Sequence, residues 1–272
     1  MTTCSCQDGE LPADTLLDRR LHMRFRGSGS VTDWHVPTLV ASRDGTCKSG
    51  PQCVLKPVSE DNNKNRFTTR AFHKLLAHPL VFDVKQRLAT ANYRSMRQAF
   101  SVCLAFEDCR GLRILDVGCG TGLCISRLFS TKHNFVVGID LNVAYTQWAK
   151  RLYPEIRFVA ASADQLPFTE QLFDLVLLSS VLHHLPDPVS RNLFDDLKRT
   201  AASGATVLLS EPVWSDNRLS NRLLKWDRGH YVKTRDEWLE LVSGHFLIKK
   251  DFVYQYAKTE FLGLVLAFRQ SD

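Results

Sequence analysis

An α/β fold on a doubly wound, mostly parallel sheet is what this 272-residue sequence predicts, and three observations predict it. From residue 112 onward, short apolar runs alternate with stretches of helical periodicity, the pattern of a parallel sheet covered on both faces. The first run, in RILDVGCGTG at 113–122, ends on Gly118, Gly120 and Gly122, a strand-to-helix turn whose backbone is free to take positive φ and to admit a ligand closely. The chain then finishes on two successive strand-like runs, FLIKKDFVYQY at 246–256 and EFLGLVLAF at 260–268, an antiparallel final pair.

Strands are expected at 112–117, 134–140, 156–161, 173–179 and 205–211, and helices at 122–130, 142–152 and 188–202. Ile114, Leu115 and Val117 make the first strand a buried one. Pro188 behind Asp187 reads as the first helical residue after an N-cap, and TRDEWLELV as a capped helix starting near Thr234. Residues 67–110 read as a helical cap before the sheet. There Phe72, Leu75 and Leu76, then Val81, Val84 and Leu88 past Pro79, then Tyr93, Met96 and Phe100 recur at helical spacing. Residues 1–66 are a loop-rich arm without sustained period, apart from LPADTLLDRRLHMRF at 11–25, with Leu16, Leu17 and Leu21 on one helical face. The expected organisation is therefore an arm at 1–66, a helical cap at 67–110 and a ligand-binding core at 111–272.

At 44% apolar residues the chain can bury a large core, and no run nears the 18 or so consecutive apolar residues of a membrane span. The arm mixes acids with bases and lacks an apolar signal core, so the cytoplasm is the expected compartment and the eight cysteines are expected as thiols. Cys4, Cys6, Cys47 and Cys53 miss the usual zinc spacings, and no metal is expected. The net charge of +6 is unevenly placed, with a surplus of four in 67–110 and four more in 213–235. A dense basic stripe with interleaved aromatics is missing, so nucleic acid is not the expected partner. Two basic segments bordering one opening would suit an anionic small molecule, and two solvated helix faces account for the same charges.

Asp116, just ahead of the glycines, divides two ligand classes. A carboxylate there meets a cationic group favourably and repels a pyrophosphate, and G-x-G-x-G is not the dinucleotide pattern G-x-G-x-x-G. The run ILDVGCGTG at 114–122 resembles the first motif of class I S-adenosylmethionine (SAM) dependent methyltransferases. VVGIDLN at 136–142 looks like that family's second strand ending in an acid, and FDLVLLSSVLHHL at 173–185 like its fourth strand and the loop after it.

The resemblance implies a Rossmann-like methyltransferase fold of seven strands, with SAM as cofactor, over about residues 90–270. It implies cofactor contacts at Asp116, Gly118, Cys119 and Gly120, with Asp140 accepting from the ribose hydroxyls and Leu141 packing on adenine. Ser162 holds the place of the usual adenine-binding acid, and Ala163 supplies an amide there. Ser179 ends the fourth strand, and Tyr93 stands where an aromatic of this family often closes over the cofactor.

His183 and His184 follow that strand end, facing the expected methyl position, and are the candidate catalytic groups, because an imidazole can take a proton near neutral pH. Arg94, Arg97, Glu211, Arg228 and Tyr231 are the candidate acceptor-binding residues. No NPPY-type sequence follows the fourth strand, which argues against amino-methylation of nucleobases or glutamine. The expected activity is methyl transfer from SAM to an O, N or C atom of a small or medium-sized acceptor. The alternatives are methylation of a protein or RNA with the arm as a docking segment, and a SAM-binding partner subunit without activity.

Overall fold

The computed structural model describes residues 78–90, 93–225, 229–256 and 258–269. The arm 1–66 with its four cysteines and its 11–25 segment, the first cap segment with Phe72, Leu75 and Leu76, and Arg228 lie outside the described residues.

Among the described residues, two helices, α1 (Pro79–Thr90) and α2 (Arg94–Ser101), precede the core. The core runs β1 (Arg113–Val117), α3 (Leu123–Leu128), β2 (Phe135–Asp140), α4 (Val143–Leu152), β3 (Arg157–Ala160), β4 (Phe173–Ser179), a 3₁₀ turn Leu182–His184, α5 (Asp187–Thr200) and β5 (Ala201–Trp214). It ends with α6 (Arg218–Leu224), β6 (Lys233–Thr234), α7 (Arg235–Ser243), β7 (Phe246–Tyr256) and β8 (Thr259–Phe268). The strand order is β3-β2-β1-β4-β5-β8-β7, with β6 beside the end of β5. β1 to β5 pair in parallel, whereas β8 pairs antiparallel to both β5 and β7. Among the described residues the sheet thus has eight strands and not the expected seven, because Lys233 and Thr234 pair with Val213 and Trp214. Two residues are too short to carry a period.

Side-chain alternation along the strands builds two cores. Leu115 and Val117, Val176 and Leu178, Val207 and Leu209, and Leu262 and Leu264 face one side, with Phe194, Trp238 and Phe246 beneath them. Ile114, Leu175, Leu177 and Leu208 face the other, where Met96 and Phe100 of α2 close the layer. This period of two over apolar strands lets one sheet be buried on both faces. The final pair belongs to the same body: Trp238 of α7 is fully buried and its Nε1 donates to the carbonyl of Pro212, 3.0 Å away.

Capping follows the sequence at Thr234, where a capping box with Glu237 starts α7. It departs from it at α5. Pro186 is the N-cap and Asp187 the first helical residue, and the Asp187 carboxylate meets Lys233 Nζ at 2.7 Å in place of capping its own helix.

The larger correction is the inward face of α1. Val84 and Leu88, expected inside, are 45% and 80% exposed, while Asp83 is buried. α1 packs over the glycine loop and the cleft beside it and not on the apolar sheet, and its inward contacts include Phe82 stacked on Tyr145 at 4.6 Å and Asp83 accepting from Thr121 Oγ1 at 3.1 Å. Among the described residues, no helix is long and apolar enough to cross a membrane.

Candidate functional site

A cleft of about 450 Å³ opens at the carboxyl ends of β1 to β4, where an open parallel sheet binds ligands. Its floor is the glycine loop. The amides of Gly118 and Cys119 donate to Ile139 O at 2.8 and 2.9 Å, and that of Gly120 to Asp140 Oδ2 at 2.8 Å. The glycines are required by packing. A Cβ on Gly118, at φ 72°, would lie 2.5 Å from Val181 Cγ2, and one on Gly122, at φ 78°, equally close to Phe158 Cζ.

The structure brings together on the cleft wall Tyr93, Asp116, Gly118, Cys119, Gly120, Asp140, Leu141, Ser162, Ala163, Ser179 and His184. Asp116 is buried, and its Oδ2 has no hydrogen-bond partner. Burial, with repulsion from Asp140, pushes its carboxyl well above the usual range. An orphaned buried acceptor is costly unless a ligand donor or cation meets it. Asp140 is also raised by burial, against which the Asn142 and Gly120 amides stabilise its charged form. Leu141 is 74% exposed on the wall, an apolar surface open to a flat ring. Cys119 and Cys124 are buried thiols pushed up by burial first and by Asp116 next, which makes both poor nucleophiles.

Tyr93 caps the wall at φ 62°, its hydroxyl donating to Gln86 of α1. Burial raises its phenol well above the ordinary value, so it stays neutral. After β4, Ser180 takes φ 56° and the chain turns through Leu182–His184. His184 is exposed on the wall, and His183 is buried behind it with its ring centroid 4.1 Å away.

The acceptor-side expectations fare differently. Arg97 is not on the cleft wall: its guanidinium donates to Leu128 O at 2.7 Å, pairs with Glu107 and lies over Phe106. Arg94 is exposed and outside the wall, and Tyr231 is also off the wall, with its amide donating to His183 O at 2.9 Å. Glu211 is fully buried beneath the loop after β4 and has no surface in the cleft, so it cannot touch an acceptor. At the third strand Ser162 and Ala163 stand on the wall, whereas Asp164 next to them is exposed and off it.

The structure adds Phe82, Gln86, Tyr145 and Cys124 to the wall. Phe82 and Gln86 were legible as an i,i+4 pair in VFDVKQR, but a search for apolar spacing passes over a glutamine.

The comparisons agree with this geometry. A family model described as "Methyltransferase domain" matches residues 114–204, from β1 into the start of β5. A tRNA U34 carboxymethyltransferase of Ectopseudomonas mendocina is 34% identical over 136 residues, 48% of this chain and 41% of that protein. A demethylmenaquinone methyltransferase of Renibacterium salmoninarum is 31% identical over 101 residues, 37% of this chain and 41% of its own. The chain thus spans about two fifths of the length of the curated relatives it matches. A SAM-dependent methyltransferase from Aquifex aeolicus superposes with a TM-score of 0.51 at 16% identity, covering 66% of this chain and 92% of that one, and shares the fold.

The chain carries a class I SAM-dependent methyltransferase domain. A methyltransferase domain of this kind takes SAM as its methyl donor, and the residues present fit it. The sulfonium and the ammonium of SAM are cations, and the cleft offers them the unpartnered Asp116 carboxylate. Asp140 and Leu141 stand side by side for a ribose and a flat base.

Proposed function

We propose that this protein transfers a methyl group from SAM to an acceptor of small or medium size. The observation that carries the reading is Asp116, a buried carboxylate with an orphaned oxygen on the wall of the cleft. SAM supplies a methyl already activated by its sulfonium. The chain's residues therefore align the acceptor, exclude water and receive one proton. Asp116 binds the cationic end of the cofactor and Asp140 the ribose hydroxyls. α1, with Phe82 and Gln86, shields the cleft, and His184 accepts the acceptor's proton through its ring. The described wall holds two carboxylates and neither lysine nor arginine, which supports a neutral methyl in transfer over an anionic carboxymethyl group. An anionic acceptor remains part of the proposal through the surplus of positive charge in 67–110 and 213–235, and a cytoplasmic setting through composition.

The matches to tRNA U34 carboxymethyltransferases favour a second reading, in which the acceptor is RNA. Incubation with methyl-labelled SAM separates the two: a fractionated small-metabolite extract and a deproteinised tRNA pool are offered in parallel. Label in the metabolite fraction, at a rate that falls as salt rises, is the expected result. Label in tRNA alone favours the second reading, and label in neither overturns the activity.

A further inference from the structure

Among the described residues, Glu211 is a carboxylate met by four donors, and it lies off the cleft wall where it was expected. It stands on β5, wholly buried, and its hydrogen bonds go to one three-residue stretch, Val181 to His183. Oε1 accepts from the amides of Val181 and Leu182, both at 2.8 Å. Oε2 accepts from the amide of His183 at 3.4 Å and meets His183 Nδ1 at 2.6 Å. A carboxylate only accepts, so Nδ1 must carry a proton, and the tautomer of His183 is set by Glu211.

The stretch held this way is the wall of the site. Val181 fills the space over Gly118 in the glycine loop, and His183 O takes the amide of Tyr231 from the segment before β6. Gly229 lies so close to the His183 ring that a Cβ there would fall 1.9 Å from Cδ2. The next residue is His184, whose exposed ring lies against that of His183.

We propose that Glu211 is the positioning residue of the methyltransferase site. It fixes His183 in the Nδ1–H form from behind, and so sets the direction in which His184 is presented to the acceptor. The use of the loop rests on the methyltransferase reading, whereas the clamp itself does not. A purely structural buried acceptor would be replaced adequately by a glutamine. Glutamine keeps the volume but has one accepting oxygen for four donors, and its NH₂ facing Nδ1 demands the opposite tautomer.

The test is ¹⁵N NMR of histidine-labelled full-length protein at pH 7.5, with His183 and His184 assigned through H183Q and H184Q. Wild-type His183 must show a protonated Nδ1, as the neutral Nδ1–H tautomer or as imidazolium. A neutral Nε2–H tautomer in the wild type overturns the proposal without any variant. In E211Q the Nδ1–H signal is lost and the His184 ring signals move, while E211D, which keeps the charge, retains the Nδ1–H signal. E211Q folded with both histidines unchanged also overturns it. Calorimetry with SAM on the same samples keeps the two claims apart: absent SAM binding with the Nδ1–H signal present contradicts the methyltransferase reading and leaves the clamp standing.

Discussion

Asp140 Oδ2 accepts the amide of Gly120 at 2.8 Å, so the carboxylate that ends β2 also braces the glycine loop that ends β1. Its other oxygen takes the amide of Asn142, whose side chain caps α4. One residue thus joins the proposed ribose site, the loop and the next helix.

Replacing Asp140 by alanine therefore removes both a ligand acceptor and a strut. D140A is expected to weaken SAM binding by about 1–3 kcal/mol, the range for a lost charge-assisted hydrogen bond. D140N, whose amide oxygen can still receive Gly120, should lose less. Calorimetry on the two folded variants checks the order, and equal losses would remove the strut from the account.

Asp116 gives the protein a pH signature. Its folded pKa is raised above the unfolded value, so it contributes stability present at low pH and lost as pH rises through the folded pKa, because the native state holds the proton longer. The thermal midpoint of cofactor-free protein should therefore fall across that window relative to D116N, which has no such titration. Saturating SAM, bringing a cation to the charged carboxylate, should reverse the fall. Parallel pH profiles of wild type and D116N would refute this.

Gly118 combines positive φ with a blocked Cβ, so G118A is expected to cost about 1–3 kcal/mol of stability from backbone strain and overpacking. V181A in the same chain frees the space but not the φ. Denaturant unfolding of the double-mutant cycle should show partial recovery, and strict additivity would mean that the Val181 contact has no effect.

Thr121 and Asp83 join α1 to the glycine loop, and Arg87 extends the link from Asp83 at 2.6 Å to the Tyr153 hydroxyl at 3.1 Å. T121V removes the hydroxyl at constant shape and strands one lone pair of a buried carboxylate. SAM should dissociate several-fold faster in stopped-flow measurements, consistent with the loss of about 1 kcal/mol. An unchanged off-rate would mean that α1 does not retain the cofactor.

How much was legible in the sequence follows from what each signal depends on. The β1 run and its glycines were readable because burial on both faces and positive φ each restrict the residue type, and the order of the parallel core followed. α1 was misread because hydrophobic periodicity assumes an apolar destination, whereas Asp83 turns inward to Thr121 and Arg87, and Gln86 faces the cleft. Glu211 was read as the end of a strand at 205–211, whereas β5 runs on to Trp214, and strand periodicity does not say whether a side chain enters the cleft or the loop beneath it. Arg97 carried a charge that suited an anionic acceptor, and the carbonyl of Leu128 and the carboxylate of Glu107 had already engaged it. Such pairings lie 31 and 10 residues apart, and no local pattern encodes them.

Whether the cleft takes SAM is read by calorimetric titration of the full chain with SAM and, separately, with NADH. One SAM should bind per chain, weakened in D116N and D140A, with no heat from NADH. Binding of NADH without SAM would contradict it.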